Sequence, residues 1–316
     1  MQSTFELAFA VFAMAAACGC GSDTDLIIGA QAEAGVVIFD AGPDVSDVGA
    51  DNQDAGHIGL CLEGGPRDVV IGEPLPDAGC PNPALCSALK AALIHRYSFN
   101  GTGTAVTDSV GSAHGTVVNA ELGGDGYLVL AGGATDQYVN LPNGIVKSLT
   151  NATFEAWVTW NGCGGWERIL DFGDAPGGEN VRGFATTTLY LTPQSMNGRD
   201  VMFGAFKRAD QQAANETRAA SNEPLQTGTM VHVALVVDDA GNMMSLSRNG
   251  AFEGAAAFPD SFSALNDIND WLGRSQYIAD PSFGGIFHEF RIYNTALSSD
   301  EIQASFVAGP DTAFSP

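Results

Sequence analysis

Positively charged residues are scarce in this sequence of 316 residues. Only 13 lysines and arginines stand against 37 aspartates and glutamates, which gives a formal net charge of -24. A strongly negative surface repels phosphate backbones and anionic lipids. The composition therefore argues against nucleic acid as a partner and against electrostatic attachment to a membrane, and it suits a soluble exported protein or one that holds cations.

The apolar run near the start, Phe5–Ala17, is too short to cross a bilayer as a helix. Small residues follow it, and then Cys18 and Cys20. This order resembles a bacterial lipoprotein signal, although the first basic residue of the sequence is Arg67. We expect residues 1–20 to be a signal peptide, with Cys18 as the lipidated residue and Cys20 as the alternative. An ordinary secretory signal is the other interpretation, and both predict export, either to a lipid anchor at the cell surface or outer membrane or to the extracellular space.

The remaining cysteines fit an oxidising compartment. If Cys20 is the anchor, four cysteines are left, an even number that suits disulfide bonds. Cys80 and Cys86 enclose a short loop with two prolines, and pairing them would leave Cys61 for Cys163. Four cysteines allow three pairings, and the sequence does not choose among them. Zinc is the alternative, but no CxxC pair or histidine cluster supports it.

Two compositions divide the chain. Residues 21–92 are rich in Asp, Gly and Ala and have no period that a packed core could use, so we predict a disordered acidic tether. The Asp-x-Asp spacing lacks the glycine and terminal glutamate of an EF-hand loop. A short helix at Cys86–Leu93 would lead into a domain at residues 93–308, with a tail at 309–316.

From Ile94 onward, short alternating apolar runs are separated by Gly, Asn and Asp. Such runs with almost no helical period indicate an all-β sandwich or barrel, and about 215 residues suit a jelly roll. Ala240-Gly241-Asn242 and Asn249-Gly250 predict consecutive hairpins. Near the end, alternation predicts a strand with Ile286, His288, Phe290 and Ile292 on one face, followed by a short helix capped by Ser298 or Ser299.

Four stretches in order resemble one family. They are "LIHRYSFNGTGTAVTDSVGSAHGTVVNA", "TFEAWVTW", "MVHVALVVDDAGNMMSLSRNGAFEG" and "WLGRSQYIADPSFGGIFHEFRIYNTALSSDEI". Together they are similar to the laminin-G-like jelly-roll domains of the concanavalin A-like lectin/glucanase superfamily, as found on bacterial surface proteins. The resemblance covers roughly Leu93–Ala308 and implies an antiparallel two-sheet sandwich.

The resemblance also implies a possible Ca²⁺ site, because some members hold the ion between the opening Asp turn and the last strand. Asp108 and Glu289 are the matching candidates. His288 stands where the family usually has aspartate, and neutral imidazole is a poor ligand for this hard cation. The alternatives are a turn-capping role for Asp108, an ion pair of Glu289 with Arg291 or Arg274, and a half-buried, hydrogen-bonded His288. No other cofactor is expected.

The superfamily includes glycoside hydrolases, which need two carboxyl groups flanking the scissile bond. The Glu-x-Asp-x-x-Glu motif of the glucanase branch is absent, and neither Glu155 nor Glu289 has a second carboxylate on its strand face. A Gly-x-Ser-x-Gly elbow is also absent, and His232 matches a structural histidine of the family. We therefore expect no catalysis, with a degenerate or unrecognised glycosidase as the alternative.

Binding is the function left, through aromatic faces and polar side chains on loops. Trp166 follows the glycine-rich "NGCGG" and is the first candidate, with Tyr190 and Tyr277 behind it. Packing is the alternative for each of the three, and it is the expectation for Trp157, Trp160 and Trp271. Residues 207–228 predict a polar surface loop. The expected partner is an extracellular glycan or a surface protein, bound by a monomer; a purely structural module is the remaining alternative.

Overall fold

The computed structural model describes residues 59–60, 67–68, 81–196, 200–209, 216–312 and 314. Two helices, nineteen strands and a short 3-10 helix at Phe262–Ala264 are assigned there. The helices are α1 (Pro83–Ala92) and α2 (Ser299–Ala308). The strands are β1 (Gly59–Leu60), β2 (Arg67–Asp68), β3 (Leu93–Tyr97), β4 (Thr102–Gly103), β5 (Ala105–Val106), β6 (Gly115–Val118), β7 (Leu122–Gly123), β8 (Leu128–Gly133), β9 (Tyr138–Leu141), β10 (Asn151–Trp160), β11 (Leu170–Gly173), β12 (Thr188–Thr192), β13 (Phe203–Lys207), β14 (Thr217–Ala220), β15 (Met230–Asp238), β16 (Met243–Arg248), β17 (Ala251–Ala257), β18 (Asn269–Leu272) and β19 (Ser282–Tyr293).

Two antiparallel sheets form the domain. The first has the order β17-β16-β15-β10-β19-β3, with β8 also pairing with β19. The second has the order β14-β13-β12-β11-β18-β9-β6-β5. Both sheets contain neighbours that are distant in sequence, such as β10-β19 in the first and β11-β18 in the second, as in a jelly roll. The predicted all-β antiparallel sandwich is confirmed. The hairpin β15-β16-β17 has its two turns at the predicted places, where Asn242, Asn249 and Gly250 adopt positive φ angles.

The inner faces of the two sheets bury one apolar core. Phe154 of the first sheet meets Phe172 of the second edge to face, with ring centroids 5.6 Å apart. Burying a side chain of this size stabilises the fold by about 1.5–3 kcal/mol. Trp157, Trp160 and Trp271 are all fully buried, which confirms that they are packing residues.

The alternation of β19 is broken at His288. Trp157 pairs with Glu289 and Val158 pairs with Phe287, so one extra residue of β19 lies between them. This β-bulge changes the phase of the strand. Phe287 before it and Phe290 after it both reach the inner core, whereas the predicted common face of Ile286, His288, Phe290 and Ile292 is wrong for its first two members.

The folded part of the chain extends beyond residues 93–308 at its start. α1 lies inside the segment assigned to the tether, and its N-terminus is capped by the Asn82 side chain, which accepts a hydrogen bond from Ala84 N at 2.9 Å. Leu89 of α1 and Ile302 of α2 share a buried cluster with Tyr293 on the outer face of the first sheet. The predicted helix is therefore confirmed, and it is a packed element that begins three residues earlier than expected.

The predicted tail also packs on the domain. Asp311 N donates to Glu289 at 2.9 Å, Gly309 O and Thr312 O accept from Arg291, and Phe314 is buried. α2 starts at a capping box in which Ser298 and Glu301 exchange hydrogen bonds, as the sequence predicted for Ser298.

Cys86 and Cys163 are both disulfide-bonded. They are not bonded to each other. α1 runs into Leu93 beside Tyr293, whereas Cys163 Sγ lies near Gly132 and Gly284. Positions 284 and 293 are separated by about 30 Å along β19 at the usual strand rise. The other four cysteines, Cys18, Cys20, Cys61 and Cys80, lie outside the described residues.

Neither described helix is long and apolar enough to span a membrane.

Candidate functional site

The outer face of the second sheet carries a row of polar and aromatic side chains. Leu170, Leu189 and Leu272 point into the core, so the residues next to them point outward. Strand pairing aligns Trp271, Asp171 and Tyr190 on three neighbouring strands. Ala205 and Arg218 continue the row towards the sheet edge. We call this surface the outer row: Trp271, Asp171, Tyr190, Ala205 and Arg218.

Arg168 lies over the outer row. Its guanidinium is 4.1 Å from the Tyr190 ring centroid and 5.8 Å from that of Trp166. Arg168 Nη2 donates to Asp280 Oδ2 at 2.8 Å, and Arg168 Nε is 3.4 Å from Asp171 Oδ2. Burial raises the pKa of Asp171 to about 6, despite the nearby positive charge of Arg168. The guanidinium is thus held by Tyr190, Asp280 and Asp171. Arg168 therefore connects the side chains of this part of the face.

The three predicted binding residues all lie on this side of the molecule, but they differ in access. Trp166 is half-buried and meets Phe203 edge to face at 5.9 Å. Tyr190 is only 1% exposed, and its hydroxyl donates to Glu216 at 2.6 Å, so its ring packs beneath Arg168. Tyr277 is half-buried, with Lys207 Nζ 5.6 Å from its ring centroid. Packing, the alternative interpretation, therefore holds for Tyr190.

Two loops beside this face expose apolar side chains that the sequence analysis missed. Phe184 is 79% exposed, Ile278 67% and Val181 45%. A backbone bridge joins Gly183 to Tyr277, and Ile278 N donates to Gly183 O at 3.0 Å. We call Val181, Phe184 and Ile278 the apolar rim. In the sequence, Phe184 is a single phenylalanine after glycine in an irregular segment, and the predicted binding residues were Trp and Tyr only.

Arginines hold these loops in place. Arg182 donates to Ser275 O at 3.2 Å and to Tyr277 O at 2.8 Å. Arg274 forms a two-pronged pair with Asp136, at 2.9 and 3.2 Å, and stacks on Trp271 at 4.3 Å. Such forked contacts are geometrically specific. The apolar rim is therefore presented on ordered backbone.

A depression of about 540 Å³ is lined in part by Gln194, whose backbone O accepts from Trp166 N at 2.9 Å. Its lining is Trp160, Gly162, Gln194, Glu223, Pro224, Leu225, Gln226, Thr227 and Arg248. Most of these side chains can exchange hydrogen bonds with sugar hydroxyl groups. However, Trp160 is only 2% exposed, so its ring offers no stacking surface.

The two candidate Ca²⁺ ligands already have protein donors. Asp108 Oδ1 accepts from three backbone N–H groups, and its Oδ2 lies 2.7 Å from His95 Nδ1. Glu289 accepts two hydrogen bonds from Arg96, at 3.0 and 2.8 Å, and another from Arg291. These residues do not fit a Ca²⁺ site, because the ion would have to displace arginines and backbone donors. In the described part of the chain, no three His, Cys, Asp or Glu side chains converge on a metal-sized site.

The predicted alternatives for these positions agree with the geometry. Asp108 caps its own turn through Val110 N and Gly111 N, and Glu289 pairs with Arg291. Arg274, the other suggested partner, pairs with Asp136 instead. His288 is half-buried and lies 3.0 Å from Thr159 Oγ1, and burial lowers its pKa to about 4.

Glu155 and His232 lie under α2, on the opposite side of the sandwich from the apolar rim. His232 Nε2 is 3.2 Å from Glu155 Oε1, and both side chains are fully buried. Ser305 of α2 and Tyr293 donate to Glu155 at 2.7 and 2.8 Å. Solvent does not reach this group of side chains, and no second open carboxylate accompanies it.

Comparisons with known proteins agree with this architecture. The sequence profile Laminin_G_3, described as the concanavalin A-like lectin/glucanases superfamily, matches residues 132–303, more than half of the chain. No curated protein matches the chain in sequence.

Several solved structures are similar to parts of this chain. Domain 4 of an extracellular arabinanase from Geobacillus stearothermophilus, in complex with arabinotriose, is 21% identical over 67% of this chain and 97% of its own, with a TM-score of 0.48. The CBM40 of a Ruminococcus gnavus sialidase, bound to α2,3-sialyllactose, is 16% identical over 56% and 95%, with a TM-score of 0.45. A Trypanosoma rangeli sialidase in complex with sialic acid is 18% identical over 70% of this chain and 34% of its own, with a TM-score of 0.51. At these identities the likeness concerns the fold alone.

Proposed function

Because this chain belongs to the concanavalin A-like lectin/glucanase superfamily, we propose that it is a non-catalytic glycan-binding module of an exported protein. The observation that carries the proposal is the exposed ring of Phe184 beside the outer row. Sugar rings have apolar C–H faces that pack on aromatic rings, and fixed polar groups next to such a ring orient the hydroxyls.

The surroundings of Phe184 supply those polar groups. Lys207 Nζ donates to Ala185 O, directly after Phe184 in the chain, and lies close to the Tyr277 ring. Arg168, Asp280 and Trp166 follow on the same side. Most of these side chains already have protein partners, so little ordering is needed on binding, which lowers its entropic cost.

The absence of catalysis forms part of the proposal. Glu155 and Glu289 are both fully buried beneath α2 and its following residues. A glycosidase needs an acid and a second carboxylate on either side of an accessible bond. We expect the full chain to release no reducing sugar from any polysaccharide that it binds.

Export is supported by the oxidised state of Cys86 and Cys163, because disulfide bonds persist mainly outside reducing compartments. The lipid anchor at Cys18, or at Cys20, stays a prediction that metabolic labelling with a fatty-acid probe would test.

Replacement of Phe184 by alanine is expected to weaken glycan binding about tenfold, since losing one stacked ring costs roughly 1.4 kcal/mol. The measurement is binding of the full chain to immobilised polysaccharides, including arabino-oligosaccharides and sialyllactose as probes. Phe252→Ala is the matched control, because Phe252 is 62% exposed but lies on β17 of the other sheet.

Equal binding by both variants would contradict a site at the apolar rim. Binding to no glycan, together with capture of a surface protein that Phe184→Ala abolishes, would favour the adhesion interpretation instead. Reducing-sugar release by the unmodified chain would overturn the non-catalytic assignment.

A further inference from the structure

Lys207 is a buried cation at the end of β13. Phe206 before it belongs to the core, so Lys207 points to the outer face of the second sheet, next to its pairing partner Thr188 of β12. Lys207 is 8% exposed. Its ammonium group donates to Ala185 O and lies 5.6 Å from the centroid of the Tyr277 ring. Lys207 therefore contacts the loop that carries the exposed ring of Phe184.

Lys207 differs from the arginines around it in having no ion pair with a carboxylate in the described part of the chain. Four arginines of this face each lie 2.8–3.7 Å from a carboxylate oxygen. The pairs are Arg168–Asp280, Arg182–Asp136, Arg218–Glu216 and Arg274–Asp136. A buried charge without a counter-charge is costly. Because the sequence contains 37 acidic residues, composition does not explain why Lys207 lacks one.

Hydrogen-bond donors beside the loop are left unused by the described residues. A lysine ammonium group has three N–H donors, and one of them goes to Ala185 O. The hydroxyl group of Tyr277 is buried and has no hydrogen-bond partner there. One carbonyl and one aromatic ring replace only part of the hydration that an ammonium group has in water. A further acceptor that carries negative charge would complete the surroundings of Lys207.

We propose that Lys207 binds a carboxylate or sulfate group of the glycan, so that the module prefers acidic over neutral polysaccharides. This inference rests on the proposed glycan site at Phe184 and names its ligand class. The ring of Phe184 packs on one sugar unit, and the ammonium group that contacts the next residue of the loop pairs with the acidic substituent. Lysine offers a compact charge with rotatable donors, so either anion fits.

Attachment of the loop is the competing explanation, in which Lys207 only holds Ala185 O in place. The two explanations differ in what glutamine does at position 207. Glutamine retains an N–H donor for Ala185 O but removes the charge. A purely structural role therefore predicts the same loss of affinity for acidic and neutral glycans, whereas an anion site predicts a loss that is much larger for acidic ones.

The experiment measures binding of the full chain to two matched pairs of polysaccharides. Polygalacturonate and its methyl ester test a carboxylate, and dextran sulfate and dextran test a sulfate. We expect the acidic member of one pair to bind at least tenfold more tightly than its neutral partner, and Lys207→Gln to reduce this ratio to about one. Because the net charge of -24 repels polyanions, non-specific attraction does not produce such a preference.

Lys90→Gln is the matched control, since it removes the same charge from an exposed lysine of α1, on the outer face of the other sheet. Its acidic-to-neutral ratio should equal that of the unmodified protein. Phe184→Ala should weaken binding to both members of a pair and leave their ratio unchanged.

Equal affinity for acidic and neutral members, weakened by Phe184→Ala, would overturn this inference and leave the proposed function intact. An acidic preference that persists in Lys207→Gln would reject the site as well. If this variant does not fold, we expect the preferred acidic polysaccharide to protect Lys207 of the unmodified chain from acetylation, measured by mass spectrometry; unchanged acetylation would reject the site. Binding to no glycan at all would overturn both proposals.

Discussion

Replacement of Arg291 by methionine is expected to lower the free energy of unfolding by about 3–5 kcal/mol, the usual cost of breaking a buried ion pair. Arg291 is fully buried and donates to Glu289, Ser305 Oγ, Gly309 O and Thr312 O. Its guanidinium also stacks on Trp157 at 4.4 Å. Methionine keeps the volume approximately but donates no hydrogen bond, so Gly309 O and Thr312 O lose this donor, while Glu289 keeps only Arg96 and Asp311 N.

The measurement is urea unfolding of the full chain at pH 7. Arg248→Met is the matched control, since Arg248 pairs with Glu253 near the surface, where such pairs contribute about 0–1 kcal/mol. A similar, small loss in both variants would show that the contacts of Arg291 are dispensable. We also expect Arg291→Met to expose residues 309–312 to proteolysis, because two of its hydrogen bonds hold that segment.

The sandwich could be predicted from the sequence because its signals are local. The alternation in "TFEAWVTW" and the turn residues at Asn249-Gly250 act within a few positions, and both appear in the structure as expected. The bulge at His288 could not be predicted in this way. It exists because Trp157 and Val158 on another strand skip one residue of β19, and such a register shift leaves no local signature.

The folded role of residues 83–92 and 309–314 was missed for a related reason. Pro83–Ala92 follows a low-complexity segment, so composition placed it in the tether. Its helix is stable because Leu89 is buried with Ile302, more than two hundred residues later. Short helices gain most of their stability from such packing, which composition cannot show.

The candidate glycan site was found only in part, because exposure is a property of the fold. Trp166, Tyr190 and Tyr277 do lie on one side, and aromatic identity was the reason to select them. Their access depends on Arg168, which covers Tyr190, and on the loop contacts of Arg182. Phe184 carried no distinguishing pattern in sequence, yet the fold leaves its ring open to solvent.

The stability of the protein is expected to fall as the pH rises from 6.5 to 8, with a contribution from Glu167 of up to about 1.4 kcal/mol per pH unit. Glu167 is fully buried behind the glycine-rich loop, and Gly284 N donates to its Oε2 at 2.7 Å. Burial raises its pKa to about 8, from 4.5 in the unfolded chain. Between these two pKa values the folded state keeps a proton that the unfolded state has released. Unfolding therefore releases a proton, and it becomes more favourable as the pH rises towards 8.

Asp270 is a second buried acid whose pKa burial raises well above its usual range, so it adds a slope of the same sign. Three further groups act mainly below that window. The pKa of Asp171 is raised to about 6, so the contribution of its bound proton to stability is lost by about pH 6. His288, with its pKa lowered to about 4, opposes folding only while the unfolded imidazole is protonated, below about pH 6.5. Glu155 has a lowered pKa, so its stabilising effect is lost only in acid. The part of the slope between pH 6.5 and 8 that comes from Glu167 is isolated by removing this carboxyl group, because Asp270 contributes equally to both proteins.

Glu167→Gln tests this attribution, because glutamine has the same shape, still accepts from Gly284 N and does not titrate. Denaturant unfolding of both proteins at four pH values in EGTA should show a flatter curve for the variant and a gain in its relative stability toward pH 8. Parallel curves would mean that Glu167 keeps an ordinary pKa. The carboxyl group would then be ionised in the folded protein at neutral pH, and its neighbours would have to offset the cost of a buried charge.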